Sequence, residues 1–383
     1  MQPTDKAENI LLVDDNPNNL RLLSQILSER GYSPRAVTSG SRALASAEMI
    51  PPDLILLDIR MPEMDGYEVC RQLKANPKTA GIPVLFISAL DDIQDKMKAF
   101  SAGGVDYITK PFQLEEVIAR VETHLALRRL QRNLQDANRR MQRQLALAAQ
   151  VQSSFLPKDI PQIDGWELAV SLLPAQLTSG DFFDMLRLPG NSLGVLIADV
   201  VDKGVGAALF MAMSCALLRT YALEHPAQPA QVFQAVNQRL LEYTAAHQFV
   251  TVFFGVLQPE SGLLTYSNAG HNPPLLVSPA HPGTTGQLTH SGPPLGVIED
   301  QEWGEKTVQL DPGGTLLLYT DGITEAESPT HDFYGLDRLV QVLQGRAGAT
   351  ADSTRQAILD SVSSFTQDAP LSDDIALIVL RRS

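Results

Sequence analysis

Over the first third of the chain, apolar residues gather in short continuous runs, each closed by an acid or a hydroxyl. Residues 10–13 lead into Asp14 and Asp15, residues 54–57 into Asp58, and residues 84–87 into Ser88. Runs of this length, rich in branched residues and bounded by turn formers, read as buried strands. Between them, residues 20–29, 67–75 and 93–102 carry apolar positions at helical spacing. Strands alternating with amphipathic helices predict an α/β domain with a doubly wound parallel sheet. In such a sheet, sites form at the carboxyl ends of the strands, which gathers Asp14, Asp15, Asp58, Ser88 and Lys110 at one edge.

The pattern then changes. No Pro or Gly occurs from residue 112 to residue 156, in a chain with 26 Gly and 25 Pro, so one long helix or two is expected. Leu127, Leu130, Leu134, Ala137, Met141, Leu145, Ala148, Gln152 and Phe155 advance by threes and fours with one extra four-step. That spacing is a heptad seam with a stutter, Gln152 its polar exception, and it predicts a parallel coiled coil joining two copies of the chain. The alternative is a helix packed back on its own N-terminal domain. Arg128, Arg129, Arg132, Arg139, Arg140 and Arg143 read as a solvated face, because the formal net charge is -14 and no DNA-reading helix follows. Pro157 and Pro161 end the helix.

Beyond them, residues 192–198, 315–319 and 375–380 read again as buried strands, with Asp181, Asp184, Asp199, Asp321, Asp373 and Asp374 near strand ends. Each Asp alone reads equally well as a turn residue or helix cap. Together they suit hard divalent cations, and two such ions held close suit hydrolysis of a phosphate ester. His271 has no close partner and reads as a core or turn histidine. Residues 279–294 read as a surface loop. Cys70 and Cys215 read as small buried hydrophobes, and two cysteines make no disulfide framework. No apolar run reaches the roughly 18 residues of a membrane helix, so a cytoplasmic protein is expected. The acidity disfavours nucleic acid and membrane surfaces.

Asp58-Ile59-Arg60-Met61-Pro62-Glu63-Met64-Asp65-Gly66 and Thr109-Lys110-Pro111-Phe112 resemble the CheY-like receiver domain of two-component response regulators. The resemblance implies a receiver over residues 8–125, with Asp58 as phosphoacceptor. Asp14, Asp15, Asp58 and the Arg60 carbonyl would hold Mg²⁺, Ser88 and Lys110 would contact the phosphoryl group, and Ser88 and Tyr107 would act as the switch. A sensor histidine kinase is the implied donor.

After a helical linker at 126–156, residues 157–383 resemble the SpoIIE-type branch of the PPM metal-dependent serine/threonine phosphatases. The likeness rests on Ser179-Gly180-Asp181-Phe182-Phe183-Asp184, on Asp199-Val200-Val201-Asp202-Lys203-Gly204, on Asn268-Ala269-Gly270-His271, on Tyr319-Thr320-Asp321-Gly322 and on Ser372-Asp373-Asp374. It implies an α/β sandwich in which Asp181, Asp199, Asp321, Asp373 and the Val200 carbonyl hold two Mn²⁺ or Mg²⁺ ions, with Asp374 in or near the shell and no covalent enzyme intermediate. Ser179 and Asp202 stand where the family usually has Gly. The implied substrate is a phosphorylated anti-anti-sigma protein of the STAS type, in a pathway that frees or traps a sigma factor. The same architecture also resembles response-regulator adaptors that bind the stationary-phase sigma factor itself and deliver it to a AAA+ protease. If the seam is intermolecular, a fragment of residues 1–155 is expected to sediment as a dimer and one ending before Leu127 as a monomer. Two monomers would count against the coiled coil.

Overall fold

The computed structural model describes residues 7–383 except 89–92, 112, 244–247, 282 and 368, so Phe112 of the receiver wording lies outside the described residues. The chain divides into two compact units, residues 1–140 and 141–383. In the first, β1 (Asn9–Val13), α1 (Pro17–Glu29), β2 (Ser33–Val37), α2 (Gly40–Met49), β3 (Leu54–Asp58), α3 (Gly66–Ala75), β4 (Val84–Ser88), α4 (Ile93–Ser101), β5 (Asp106–Thr109) and α5 (Leu114–Ser153) follow in order. All strand pairs are parallel, in the order β2-β1-β3-β4-β5. β3 and β4 are buried on both faces, which explains their unbroken apolar runs. Asn16, Ser39 and Asp65 cap α1, α2 and α3 by accepting backbone N–H groups of the first turn. Gly66 is required where α3 starts: a Cβ there would stand 2.4 Å from the Asp58 carbonyl oxygen.

α5 is a single helix, and it divides the expected arginine face. Its first turns are the receiver's own, with Val117, Val121 and Leu125 buried in the domain core. This packing carries the next turn over the amino ends of β1 and β3. There Arg128 donates to the carbonyls of Pro52 and Asp53, Arg132 pairs with Asp53 at 2.7 Å, and Arg129 pairs with Glu8 at 3.3 Å. Burial pulls the Arg128 guanidinium down to about 10. Arg128 is thus drawn inward, whereas Arg129 and Arg132 reach their acids with side chains 62 and 52% exposed and Arg139, Arg140 and Arg143 are exposed, as the solvated face requires. Of the seam, Leu127, Leu130 and Leu134 are 51, 66 and 71% exposed. Its last two positions turn inward instead: Gln152 is buried and Phe155 packs on the core of the second unit.

The second unit continues with β6 (Trp166–Leu173), β7 (Phe182–Leu188), β8 (Ser192–Val200), α6 (Val205–Glu224), α7 (Pro229–Tyr243), β9 (Val250–Gln258), β10 (Leu263–Ala269), β11 (Leu275–Val277) and β12 (Thr285–Gln287). β13 (Lys306–Gln309), β14 (Thr315–Tyr319), α8 (Asp321–Thr324), α9 (Leu336–Gln344), α10 (Ala351–Thr366) and β15 (Ile375–Arg382) complete it. Two five-stranded antiparallel sheets, β13-β10-β9-β8-β7 and β12-β11-β14-β15-β6, pack face to face. Alternation sorts each strand: Phe183, Val195, Ile197, Ala376 and Ile378 fill the layer between sheets. Phe182, Leu196 and Ala198 face α6 and α7, and Ile375, Leu377 and Val379 face α9 and α10. The result is a four-layer α/β sandwich.

Two expectations need correction. α6 is long and apolar enough to cross a membrane by length and composition, but its Ala207, Phe210, Met211, Cys215 and Leu218 belong to the core. The stretch 279–294 is not all loop, because β12 pairs with β11 and Leu288 is buried.

The turn from β8 to α6 needs two left-handed residues, Asp202 at φ 74° and Gly204 at φ 86°. Asp tolerates this region better than most residues, so the departure from Gly leaves the turn in the form a Gly would give it. Asp202→Gly is expected to move stability by less than about 1 kcal/mol and Asp202→Val to lower it by about 1–2 kcal/mol in urea unfolding. Equal midpoints for the two variants would remove the left-handed constraint.

Candidate active site

At the carboxyl edge of the parallel sheet, carboxylate oxygens of Asp14, Asp15 and Asp58 lie within 4.8 Å of one another. Lys110 Nζ reaches Asp14 at 2.9 Å and Asp58 at 3.0 Å. Asp14 also accepts from the Asn16 backbone and the Asn19 amide, which fixes its orientation. Burial raises the Asp58 carboxyl against the opposing pull of Lys110. Burial lowers Lys110, but its bonds to Asp14 and Asp58 outweigh that and hold it charged. Ser88 ends β4, buried, and the Arg60 backbone follows Asp58 by two residues. Tyr107 on β5 is half-buried, with Lys96 Nζ 4.7 Å from its ring centre and Phe100 edge-on at 6.2 Å.

In the second unit the acids meet at one end of the sandwich. The β7–β8 register pairs Phe182 with Ala198, which sets Asp181 beside Asp199. The β14–β15 register pairs Tyr319 with Leu377, which sets Asp321 near Asp373 and Asp374. Of three contacts that hold this end, the first two join the β7 edge to the β14–β15 edge, and the third ties Asp374 to the segment after β6. Thr320 Oγ1 donates to Asp181 Oδ2 at 2.6 Å, Gly180 N donates to Asp374 Oδ2 at 2.7 Å, and Ala175 N donates to Asp374 Oδ1 at 2.8 Å. Glycines permit the approach: a Cβ on Gly322 would stand 1.9 Å from the Asp374 carbonyl oxygen, and one on Gly180 would stand 3.0 Å from the Val200 carbonyl oxygen.

Burial and then the Asp199 charge push the Asp181 carboxyl well up, and the two side chains share a hydrogen bond. Burial, then Asp321, raises Asp199 to about 7. Burial, then Glu325 and Asp373, raises Asp321. Among the described residues, the ion pair that reaches these acids comes from half-exposed Lys203, 3.1 Å from Asp373. Buried carboxylates with so little compensating charge fit hard divalent cations, whose charge offsets the repulsion. The receiver triple, its carboxylate oxygens within 4.8 Å of one another, fits one such ion by ligand type and spacing.

Not every expected acid joins. Asp184 lies inside β7 and pairs with Arg219 of α6 at 2.7 Å, on the helix side of the sheet, so it is a structural ion pair. Asp374 does sit with the cluster, its charge felt by Asp181 and Asp199, and each of its oxygens also accepts a backbone N–H group, so it staples strands as well. His271 is fully buried, with Nδ1 2.9 Å from Thr251 Oγ1, and burial lowers it to about 3, as fits a neutral core histidine. Thr320, Lys203 and Gln152 went unnoticed as site residues. Thr320 and Lys203 adjoin the motif acids in sequence, but only the fold shows what they touch.

Residues 189–383 match the family model described as Stage II sporulation protein E (SpoIIE), and residues 10–122 match the response regulator receiver domain. Protein IcfG of Synechocystis sp. is 31% identical over 269 residues, covering 63% of this chain and 42% of that protein. The chain thus spans less than half of IcfG's length. Phosphoserine phosphatase RsbU of Bacillus subtilis is 29% identical over 265 residues, covering 68% of this chain and 74% of RsbU. The SiaA-PP2C domain of Pseudomonas aeruginosa superposes with a TM-score of 0.58 at 18% identity, over 64% of this chain and 99% of that one, a likeness of fold. With more than half of its 383 residues inside the SpoIIE match, the chain belongs to the SpoIIE family and carries a response regulator receiver domain ahead of it.

Proposed function

We propose that this is a response-regulated, divalent-metal-dependent phosphoserine/phosphothreonine protein phosphatase, with Asp58 as the regulatory phosphoacceptor. The observation that carries it is the convergence at one end of the sandwich of Asp181, Asp199 and Asp321, each raised by burial, with the half-buried Asp373 beside them. These four, with the Val200 carbonyl, would hold two Mn²⁺ or Mg²⁺ ions, which when bound polarise a phosphate ester and activate water. The chain's own groups do the placing. Thr320 orients Asp181, Asp374 fixes the Gly180 turn, and Lys203 sets a cation at the rim where a phosphate arrives. In the receiver, Asp14, Asp15, Asp58 and the Arg60 carbonyl would hold one Mg²⁺. A carboxylate oxygen of Asp58 takes the phosphoryl group from its donor, with Lys110 and Ser88 receiving its charge and Tyr107 reporting the change.

The donor is inferred to be a sensor histidine kinase, and the substrate a phosphorylated STAS protein in a sigma-factor pathway. The name phosphoserine phosphatase on RsbU supports this substrate class. A cytoplasmic setting, where a receiver meets its kinase, goes with the reading. The exposed Leu127, Leu130, Leu134 and Met141 support a homodimer through α5. The adaptor reading rests on a resemblance of architecture that Ser179 and Asp202 leave open, and no observation favours it over the phosphatase.

Asp199→Ala and Asp321→Ala are each expected to lower Mn²⁺-dependent phosphate release from a phosphoserine STAS protein by at least about 100-fold, with circular dichroism unchanged. Retained turnover would take them out of the site. Asp58→Ala should keep basal turnover and lose the response to acetyl phosphate, and a mutant that still responds sinks the switch.

Because Asp181, Asp199 and Asp321 are raised in the fold, the metal-free folded state binds protons that the unfolded chain releases. Their contribution is therefore present below the ordinary Asp value of 3.8 and lost as pH rises through about 7. In chelator, the unfolding midpoint of the second unit should fall across that window, and Mn²⁺ should restore it most at the alkaline end. A midpoint that rises with pH in chelator would contradict the buried, mutually repelling acids.

A further inference from the structure

We infer that Gln152, in the last turn of α5, is a positioning residue for the loop that carries Asp181. The inference takes from the phosphatase reading only that this loop holds a divalent ion. Gln152 is 7% exposed, and its amide grips one residue from both sides. Its Nε2 donates to the Ser179 carbonyl, and its Oε1 accepts from Ser179 N at 3.1 Å. These two backbone groups belong to successive peptide units, so the clamp fixes both the place and the tilt of the backbone entering Gly180. The next links follow at once. Ser179 Oγ bonds with the Asp181 backbone in both directions at 3.1 Å, Gly180 N goes to Asp374, and the Asp181 carboxylate goes to Thr320.

A primary amide offers an uncharged donor and an uncharged acceptor on two separate atoms, which matches one N–H and one carbonyl held side by side. With water excluded, loss of the amide leaves two buried backbone groups unpaired. The end of the helix is itself pinned. Phe155 and Leu156 pack against the core beside α6, and the Phe155 carbonyl accepts from Arg219 at 2.9 Å. Gln152 therefore cannot follow the loop if the loop moves, and the loop cannot keep its shape if the helix end moves. The last turn of α5 is part of the outer shell that aims Asp181.

The test is Mn²⁺ calorimetry on the full chain for wild type, Gln152→Met, Gln152→Asn and the exposed control Gln150→Met, with unfolding midpoints measured in chelator. The receiver's ion site is the internal reference. Gln152→Met should bind Mn²⁺ at the second unit about tenfold more weakly, Gln152→Asn less affected, with the receiver class and Gln150→Met as in wild type. A merely structural residue would lower the chelated midpoint and leave the Mn²⁺ affinity of the folded protein unchanged, and that result overturns the inference. Should Gln152→Met not fold, Gln152→Asn with wild-type affinity overturns it equally. If the affinities shift as stated but wild type releases no phosphate from phosphoserine protein, the positioning role stands and the phosphatase reading falls. Absence of any Mn²⁺ binding beyond the receiver class in wild type overturns both.

Discussion

Buried carboxylates repel one another, and a fold that crowds them must hold them by other means until a cation arrives. Here the holding is done by the strand ends. Asp181 and Asp199 come from adjacent strands of one sheet, and Asp321 and Asp373 from adjacent strands of the other. Packing the sheets face to face is what brings the pairs together, and the Thr320 and Asp374 hydrogen bonds lock that end of the sandwich. Much of the second unit can be understood as support for this repulsive cluster. The layer between the sheets supplies apolar burial, and the two flanking helical layers bury each sheet's other face.

The receiver meets the same difficulty on a smaller scale with an internal cation. Lys110 spans Asp14 and Asp58, so the repulsion among its acids is partly answered by the chain itself. Among the described residues of the second unit, the cation paired with these acids is Lys203 at the rim, with a side chain 45% exposed. Burial and then the Asp321 charge raise Asp199 to about 7, whereas at Asp58 the pull of Lys110 works against the burial that raises it.

Strands buried on both faces were legible in the sequence, because two-sided burial leaves continuous apolar runs such as residues 54–57, 315–319 and 375–380. The acids at their ends were legible as a set for the same reason. What spacing does not encode is which side of a strand a given acid faces. Asp184 shares a motif with Asp181 yet points to α6, where Arg219 waits 35 positions later in the chain. Arg128 was misread as part of the solvated face for a related reason. A periodic pattern shows which residues share a helix face, but not that carbonyls of Pro52 and Asp53 will lie beneath one stretch of it. Gln152 was visible as an oddity in the heptads, and its partner Ser179 was visible as a departure from Gly. Their pairing is a fact of tertiary structure alone.

Thr320 links a strand to an acid through a single hydroxyl, and the direction of that hydroxyl is set. The Ala376 N–H donates to its oxygen at 2.9 Å, so the hydroxyl proton is free to go to Asp181 Oδ2 at 2.6 Å. One of the two oxygens of Asp181 is thereby engaged from within the protein, so an ion in the proposed site would meet a carboxylate already half committed. Ca²⁺ often draws on two-pronged carboxylates, whereas smaller octahedral ions take single oxygens. Were the proposed ions bound, the threonine would bias denticity at this corner, and with it the size of ion that the corner suits.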